Sequence, residues 1–306
     1  MRGFILAAGF GTRLKPLTEH IPKALVPVCG KPLLARNLEH LQNSGAFTSL
    51  GVNSHYLNDQ LLHFRSQSPV PFELFYEEGK IRGTGGALYF AKDFLAGDDS
   101  FFIANVDILN NFDLAAMAEQ FLSSGRICSL VSVPVQSGGT VIFDYTSSDY
   151  LGVTAEESSY PGASKAEFTG AAFYKREFLD FLREDDFSII PVWKRVSQNG
   201  NNPGIIAPRN SSWWRDIGTP SALARVHFDV LDGTLLLDIP ESMVLNKEDR
   251  VCAQAHFHSV FDQYTWYEPD SAPSGYTISR SIVLGQALVL KNLNETILTE
   301  WGEIKF

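Results

Sequence analysis

Short apolar runs alternate with helical stripes along the first two-thirds of the chain, and this alternation constrains the fold more than any other feature. Apolar runs predict strands at residues 4–8, 49–53, 101–104 and 129–135, and period-two alternation predicts another at 72–76. Alternating strands and helices are typical of a mostly parallel sheet with helices on both faces. The sequence therefore predicts an α/β fold with a Rossmann-like, doubly wound sheet, in which ligands bind beyond the carboxyl ends of the strands.

The helices between these strands are predicted from apolar spacing and from end signals. Leucines three and four residues apart predict a helix between Pro32, which suits a first turn, and Gly45, which suits a helix end. Residues 85–95 predict another helix. Asp113 is expected to cap a helix that runs to about residue 123, and a further helix is expected over 221–231.

The pattern changes after about residue 232. Apolar side chains then recur largely in steps of six, at Leu245, Val251, Phe257, Leu284, Leu290, Leu298 and Ile304. Six-residue repeats are typical of a β-helix, in which each coil turns on short strands. The sequence therefore predicts a domain over 1–232 and a small β-helix-like domain over 233–306, with a β-rich cap as the alternative.

The charge is unevenly distributed. The formal net charge is −10, which argues against non-specific nucleic-acid binding. Residues 1–36 nevertheless carry six basic side chains against the single acid Glu19. A basic segment in an acidic protein indicates a bound polyanion, with an ordinary solvated face as the alternative.

The chain shows no sign of a membrane or an oxidising compartment. No apolar run approaches a bilayer-spanning length, and the first run is too short for the core of a signal peptide. Cys29, Cys128 and Cys252 lack metal-type spacing, so we expect reduced cysteines in the core of a cytoplasmic protein.

Two glycines, Gly9 and Gly11, follow the first predicted strand and indicate a phosphate site. A dinucleotide fingerprint would need a third glycine at position 14, which is leucine, and neither Gly-Lys pair of the chain fits a Walker loop. In the remaining interpretation, backbone N–H groups of the loop bind phosphate, Arg13 holds two oxygens and Lys23 acts as a point charge. Two separate cations suit a reaction that joins two phosphorylated molecules.

The segment LAAGFGTRLKPLTEHIPKALVPVCGKPLL, residues 6–34, resembles the opening motif of the sugar-1-phosphate nucleotidyltransferases, also called nucleoside-diphosphate-sugar pyrophosphorylases. Three later segments resemble further motifs of that family in the expected order: RGTGGAL (82–88), NVDIL (105–109) and WWRDIGTP (213–220). The resemblance covers about residues 1–232 and implies a glycosyltransferase-A-like fold. The tail resembles the left-handed β-helix that some members carry.

The resemblance implies a reaction and a set of catalytic residues. A sugar-1-phosphate would attack the α-phosphorus of a nucleoside triphosphate, giving a nucleoside-diphosphate sugar and pyrophosphate. Asp107 and Asp216 are the implied carboxylates for Mg²⁺, which binds through one or two carboxylates together with phosphate oxygens and waters. Arg13 would hold the triphosphate, and Lys23 would hold phosphate near the α-phosphorus or on the sugar.

The resemblance also implies binding residues for each substrate. Those expected on the nucleotide are Leu6, Ala7, Ala8, Gly9, Gly11, Thr12, Arg13, Gly85 and Gly86. Those expected on the sugar phosphate are Lys23, Asn53, Thr169 and Gly170. Tight packing at a helix entry is an alternative role for Gly85 and Gly86. His55 is either near the site or a capping or core histidine.

This sequence departs from the family on the sugar side. It lacks the Glu-Lys-Pro segment that many members have in mid-chain, and Lys165 or Glu167 would have to replace it unless they lie in an exposed loop. The motifs are most similar to muramic acid, heptose and mannose phosphate uridylyl- and guanylyltransferases, so the base is expected to be uracil or guanine. The expected partners are the two substrates and a second copy through the tail, with no nucleic acid and no membrane.

Two rival functions are open at this point. One is a non-catalytic homologue that binds a nucleotide sugar and acts as a regulatory subunit. Such a protein would usually lack a metal-binding aspartate or the loop arginine, whereas Arg13, Asp107 and Asp216 are all present. The other rival is an NAD-dependent oxidoreductase, which the missing third glycine disfavours.

Overall fold

The computed structural model describes residues 1–254, 261, 263–271, 273 and 275–306. Their backbone contacts divide the chain into two compact units. Unit 1 contains Met1–Gly9 and Asn37–Trp214, and unit 2 contains Phe10–Arg36 and Arg215–Phe306. The opening motif therefore begins in unit 1 and continues, from Phe10 onward, in the same unit as the C-terminal residues.

The helices and strands of the described residues follow one another closely along the chain. The α-helices are α1 (Leu17–His20), α2 (Leu33–Asn43), α3 (Asn58–Gln67), α4 (Gly83–Phe90), α5 (Lys92–Leu95), α6 (Leu114–Ser123), α7 (Ile190–Gln198) and α8 (Pro220–Leu231). The strands are β1 (Arg2–Leu6), β2 (Pro27–Val28), β3 (Lys31–Pro32), β4 (Ser49–Ser54), β5 (Glu73–Tyr76), β6 (Ser100–Asn105), β7 (Ile108–Asn110), β8 (Cys128–Val135), β9 (Val141–Phe143), β10 (Tyr150–Val153), β11 (Ser164–Lys175), β12 (Gly204–Ile206), β13 (Trp214–Asp216), β14 (Val244–Asn246), β15 (Val251–Ala253), β16 (Thr265–Tyr267), β17 (Ile278–Ser279), β18 (Ser281–Val283), β19 (Leu293–Asn294), β20 (Thr296–Thr299) and β21 (Gly302–Lys305). Short 3₁₀ helices lie at Thr12–Leu14, Lys23–Leu25, Thr154–Ser159 and Arg176–Phe181.

Unit 1 is built on one large sheet with the strand order β10-β9-β11-β6-β1-β4-β5, and β8 and β12 are attached beside β11. Its centre is parallel, because β1 pairs in parallel with both β4 and β6, and β4 pairs in parallel with β5. β11 runs antiparallel to β6, β8 and β9. The predicted α/β fold with a mostly parallel sheet is confirmed at the centre of the sheet, and β11 adds an antiparallel part that was not predicted.

The predicted elements of unit 1 are present with shifted ends. β1 ends at Leu6, two residues earlier than predicted, because the backbone N–H of Ala7 donates to the side chain of Asn53. The helix predicted over 85–95 divides into α4 and α5. The predicted cap of α6 is confirmed, since the Asp113 carboxylate accepts a hydrogen bond from the N–H of Ala116 at 3.1 Å.

The core of unit 1 lies between the sheet and its helices. Aromatic side chains dominate it, and the rings of Tyr174 and Phe178 are 4.4 Å apart while those of Phe101 and Tyr174 are 5.1 Å apart. Burial of such large rings supplies much of the free energy that holds strand edges and site loops in place.

The C-terminal part of unit 2 is a ladder of short strands. β15, β16, β18 and β20 pair in parallel in that order, with antiparallel β14 and β21 at the two ends. The six-residue spacing does not mark one inward-facing row, because Leu290 is 76% exposed whereas Val251 and Leu284 are buried. Phe257, which the same spacing included, lies outside the described residues.

The three cysteines are free and buried, as predicted. Burial raises the pKa of each thiol well above its ordinary value, so all three are protonated at neutral pH. No helix among the described residues has the length and apolar character that crossing a bilayer requires.

Candidate active site

In unit 1, the predicted nucleotide residues from Leu6 to Gly9 and the predicted metal residue Asp107 lie at the carboxyl ends of adjacent parallel strands. Leu6 pairs with Asn105 in register, and the N–H of Val106 donates to the carbonyl of Leu6 at 3.1 Å. Asp107 is half-buried in the turn that follows β6. The structure therefore places the end of β1 and the residues around Asp107 at the edge where α/β sheets bind ligands.

Ala7, Ala8 and Gly9 connect β1 to the rest of the opening motif. The two alanines are buried, whereas Gly9 is exposed. A methyl group added at Gly9 would meet no atom within 4 Å. The backbone at Gly9 is therefore open to a ligand, as the phosphate-loop interpretation requires.

A chain of hydrogen bonds links this segment to the start of α4. The N–H of Ala7 donates to Asn53 Oδ1 at 2.6 Å, and Asn53 Nδ2 donates to Glu77 Oε1 at 2.7 Å. The other oxygen of Glu77 accepts from the N–H of Arg82 at 2.7 Å. His55 Nδ1 lies 2.7 Å from the carbonyl oxygen of Glu77, so its ring is anchored beside the same residue.

Sequence reasoning placed Asn53 on the sugar phosphate and did not identify Glu77. The Asn53 side chain is 2% exposed, and its amide oxygen and nitrogen both have protein partners. Glu77 is fully buried although it lies in the charged stretch EEGK. A buried carboxylate is costly unless hydrogen bonds satisfy it, so burial of a glutamate is a signal that only the structure supplies.

The glycines of RGTGGAL pack against another segment of unit 1. A methyl group at Gly85 would lie 2.6 Å from the carbonyl oxygen of Asp186, and one at Gly86 would lie 3.3 Å from the same atom. The N–H of Thr84 donates to the carbonyl of Phe187 at 2.9 Å. This geometry favours tight packing at a helix entry as the reason for glycine at these two positions.

The residues expected under the sugar lie on β11. Thr169 is buried and its hydroxyl donates to the carbonyl of Val131 at 2.8 Å. Gly170 has a φ of +78°, and a methyl group there would lie 2.9 Å from Asn105 Nδ2. Gly170 lines a cavity of about 60 Å³ together with Leu6, Asn105 and other side chains. Thr169 thus supports the strand, whereas Gly170 faces a space next to the end of β1.

Lys165 and Glu167 also lie on β11 and are half-buried. Lys165 Nζ pairs with a carboxylate oxygen of Glu157 at 2.9 Å. The alternative that placed these two residues in an exposed loop is therefore wrong, because the segment is a strand of the main sheet.

In unit 2, the opening motif continues in a tightly turned loop around Gly11. Gly11 has a φ of +63°, and a methyl group there would lie 2.9 Å from Thr18 Cγ2 and 3.0 Å from Lys23 Cβ. The hydroxyl of Thr18 and the N–H of Leu14 both donate to the carbonyl of Gly11, each at 2.8 Å. Only glycine fits this turn, which brings the backbone close to Lys23.

Arg13 and Asp216 lie side by side in unit 2. Arg13 is exposed on the short helix Thr12–Leu14, and Asp216 is exposed at the end of β13. A methyl group at Gly218 would lie 2.5 Å from Arg13 Nη2 and 2.7 Å from Asp216 Oδ1. Two motifs that are about 200 residues apart in the sequence thus present one cation and one carboxylate around the same glycine.

The turn between β2 and β3 is supported by C-terminal residues of unit 2. The N–H of Cys29 donates to Nε2 of His227 at 3.0 Å, and His227 Nδ1 donates to the carbonyl of Leu223 at 2.9 Å. Burial lowers the pKa of His227 to about 4, so the ring is neutral at physiological pH. Glu268 is half-buried, desolvation raises the pKa of its carboxyl, and it accepts a hydrogen bond from the backbone N–H of Gly30.

Arg36 holds the same turn from α2. Its guanidinium donates to the carbonyls of Val28 and Cys29, both at 2.9 Å, and to Asp238 Oδ1 at 2.8 Å. Asp238 also pairs with Lys31. The cations at positions 31 and 36 therefore stabilise the loop, whereas Arg13 stays exposed.

Asp107 and Asp216 are the two carboxylates expected to bind Mg²⁺. Among the described residues, no group of three or more His, Cys, Asp or Glu side chains forms a complete protein cage. Mg²⁺ does not need such a cage, because it keeps waters and binds through one or two carboxylates and substrate phosphates. Asp107, in the turn after β6, and Asp216, at the end of β13, each carry carboxylate oxygens, which are donors of the kind that Mg²⁺ prefers.

Comparison with known proteins gives a consistent result. A profile described as nucleotidyl transferase matches residues 2–233. The chain is 28% identical over 237 residues to a protein named bifunctional protein GlmU from Methanococcus aeolicus, a match that covers 76% of this chain and 54% of the relative. It is 28% identical over 230 residues to N-acetylmuramate alpha-1-phosphate uridylyltransferase from Caulobacter vibrioides, covering 71% of this chain and 92% of the relative.

A solved structure has the same fold. HddC from Yersinia pseudotuberculosis, described as complexed with GMP-PN, matches with a TM-score of 0.60 at 21% identity, over 74% of this chain and 97% of HddC. This likeness supports the α/β fold. The chain spans 54% to 62% of the length of the first curated relatives that it matches.

Proposed function

Because the chain belongs to the nucleotidyl transferase family, we propose that it joins a nucleoside triphosphate to a sugar-1-phosphate. The products are a nucleoside-diphosphate sugar and pyrophosphate, and the reaction requires Mg²⁺. The observation that supports this most is the placement of Arg13 and Asp216 around Gly218, because it combines a phosphate-binding cation and a metal-type carboxylate from two separate family motifs.

The reaction is an in-line displacement at phosphorus. An oxygen of the sugar-1-phosphate forms a bond to the α-phosphorus, and the bond from that phosphorus to the pyrophosphate oxygen breaks. The attacking oxygen already carries negative charge, so no nucleophilic side chain is needed. The protein has to bring two polyanions together and stabilise the charge that develops.

Each proposed residue meets one of these needs. Arg13 binds the triphosphate and the departing pyrophosphate, because a guanidinium can hold two oxygens at once. Lys23 binds phosphate as a point charge, and open backbone at Gly9 supplies N–H donors. Mg²⁺, held through Asp107 and Asp216, would neutralise charge on the α-phosphate.

The base is proposed to be uracil or guanine. The uridylyltransferase from Caulobacter vibrioides supports uracil, and a relative from Xenopus tropicalis named mannose-1-phosphate guanylyltransferase catalytic subunit beta supports guanine. We also propose the division into a catalytic domain over 1–232 and a β-helix-like domain over 233–306, which mediates self-association. Parallel pairing along β15, β16, β18 and β20 supports a coiled arrangement of the described strands. A cytoplasmic location fits the three free thiols.

The two rival functions lack support. The family match offers no support for an oxidoreductase. The regulatory alternative has no supporting feature, because Arg13, Lys23, Asp107 and Asp216 are all present.

The test is pyrophosphate release with Mg²⁺, using UTP, GTP, CTP, ATP and dTTP, each against a panel of sugar-1-phosphates. We expect release with UTP or GTP and one sugar phosphate. Asp107→Asn should abolish it, whereas Asp113→Asn should not, because asparagine caps α6 as well as aspartate does. Binding of nucleotide sugars without release for any pair would contradict the proposal and favour the regulatory alternative.

A further inference from the structure

We propose that Glu77 is a positioning residue for nucleotide binding, and that it acts through Asn53 on the backbone of Ala7 and directly on the backbone of Arg82. This inference rests on the proposed function, because it concerns the site for the triphosphate. It assigns a role to a residue that belongs to none of the family-like motifs. It also gives Asn53 a positioning role in place of contact with the sugar phosphate.

Glu77 joins three elements of unit 1. It follows β5, and its own N–H donates to the carbonyl of Ser54 at the end of β4 at 2.8 Å. Its Oε1 accepts from Asn53 Nδ2 and its Oε2 accepts from the N–H of Arg82, both at 2.7 Å. One carboxylate oxygen therefore supports Ala7 through Asn53, and the other supports the start of α4, the helix that carries Gly85 and Gly86.

The chemistry of the position calls for two acceptors. Glu77 is fully buried, and burying a carboxylate costs free energy that hydrogen bonds must offset. An ionised carboxylate only accepts hydrogen bonds, and the Asn53 amide and the Arg82 backbone both approach it with N–H donors. Glutamine at this position has one acceptor and one donor group, so one N–H would face another N–H.

Glu77 would affect nucleotide binding by positioning the backbone of the site. The segment Ala7–Ala8–Gly9 ends in the open backbone at Gly9, and Arg82 immediately precedes α4. The Asn53 side chain fixes the N–H of Ala7 at 2.6 Å, and Asn53 in turn depends on Glu77 for its orientation. Small displacements of positioning groups are costly, because site geometry has to be held within fractions of an ångström.

The direction of donation along this chain of hydrogen bonds provides the test. In Glu77→Gln, the introduced NH₂ group faces an N–H donor of Asn53 or Arg82. In Asn53→Asp, two carboxylates face each other. In the double variant, the introduced carboxylate accepts from the N–H of Ala7 and from the introduced amide, whose oxygen accepts from the N–H of Arg82. Every bond and the net charge are then restored, so the double variant is the matched control for the two single variants.

We expect Glu77→Gln to raise the KM for the nucleoside triphosphate by roughly 10- to 100-fold. The KM for the sugar-1-phosphate should change less than about twofold. Asn53→Asp should behave similarly, and the double variant should return the nucleotide KM to within about threefold of the wild-type value. A merely structural role would instead lower Tm and affect both substrates alike.

Two results would overturn the inference. One is an unchanged nucleotide KM in Glu77→Gln, and the other is a double variant that does not recover, whether it folds or not. If Glu77→Gln does not fold, the double variant still tests the inference, because it is expected to fold and to bind nucleotide.

Calorimetric titration of the protein with UTP and GTP separates this inference from the proposed function. If the wild-type chain binds a triphosphate but makes no nucleotide sugar, the proposed function is contradicted. If Glu77→Gln then loses that binding and the double variant recovers it, the result still supports the role of Glu77. Wild-type chain that binds neither triphosphate would overturn both.

Discussion

Arg13 and Asp216 share the space that the absent side chain of Gly218 leaves in unit 2. A methyl group on Gly218 would lie 2.5 Å from the guanidinium nitrogen Nη2 of Arg13 and 2.7 Å from the carboxylate oxygen Oδ1 of Asp216. The glycine of the motif WWRDIGTP therefore permits the approach of a phosphate-binding cation to a metal-type carboxylate. Any side chain at position 218 would separate Arg13 from Asp216 or change their orientation.

Gly218→Ala is accordingly expected to lower kcat/KM at least about tenfold while the chain stays folded, because its methyl group displaces Arg13 and Asp216. Gly97→Ala is a matched control, since its methyl group would lie 2.3 Å from the guanidinium nitrogen Nη2 of Arg2, outside the proposed site. Pyrophosphate-release kinetics and Tm are measured for both. Full activity in Gly218→Ala would contradict the proposed role of this arrangement.

Gly9 and Gly85 are expected to respond differently to alanine. Gly85→Ala places a methyl group against the backbone of Asp186, and we expect the free energy of unfolding to fall by about 1–3 kcal/mol. The methyl group of Gly9→Ala meets no atom within 4 Å, so the free energy of unfolding should change by less than about 0.5 kcal/mol while nucleotide binding weakens. Urea unfolding and nucleotide titration check both. A stable Gly85→Ala that only lost nucleotide affinity would favour direct contact with the base.

Stability is expected to fall in mild acid because of His227. Its folded-state pKa is about 4, below the ordinary value of 6.5, so the unfolded chain binds more protons between these values. The stabilising contribution of neutral His227 is complete above pH 6.5 and decreases as pH falls toward 4. At pH 5 the free energy of unfolding should be lower than at neutral pH by about 2 kcal/mol.

The measurement for His227 is the free energy of urea unfolding at pH 7.5 and pH 5. His227→Gln keeps an acceptor for the N–H of Cys29 and cannot be protonated in this range, so its stability should depend less on pH. An equal pH dependence in the variant and the wild-type chain would show that other groups cause the acid sensitivity.

Arg36→Lys is expected to lower the free energy of unfolding by about 1–3 kcal/mol, because one ammonium group cannot reach the carbonyls of Val28 and Cys29 together with Asp238. Arg225→Lys is the control, since Arg225 pairs with Asp229 from a side chain that is 74% exposed. Arg225→Lys should lower the free energy of unfolding by less than about 0.5 kcal/mol. Equal effects of the two substitutions would contradict the structural role of Arg36.

The part of the fold that local sequence encodes could be predicted. Runs of apolar residues indicated the strands of the central sheet, because burial on both faces of a parallel strand leaves no polar positions. Asp113 was recognised as a cap because its side chain bonds within its own helix turn. The opening motif was recognised by its resemblance to the family, and the structure explains one of its glycines, because the turn at Gly11 admits only glycine.

Features that depend on distant partners could not be predicted. The charged stretch EEGK offered no reason to bury Glu77, whose partners include Asn53, 24 residues away. Similarly, nothing near Cys29 indicates that its N–H bonds to His227, 198 residues later, or that 10–36 and 215–306 form one unit. The six-residue spacing after 232 overestimated regularity, since Leu290 is exposed.

The central claim is that an oxygen of the sugar phosphate forms the new bond to the α-phosphorus. The most direct measurement uses sugar-1-phosphate whose non-bridging phosphate oxygens are ¹⁸O, with Mg²⁺ and unlabelled UTP or GTP, followed by mass spectrometry of both products. We predict a nucleoside-diphosphate sugar that retains all of the label and a pyrophosphate that contains none. Label in the pyrophosphate, or no nucleotide sugar with any sugar phosphate tested, would contradict the account.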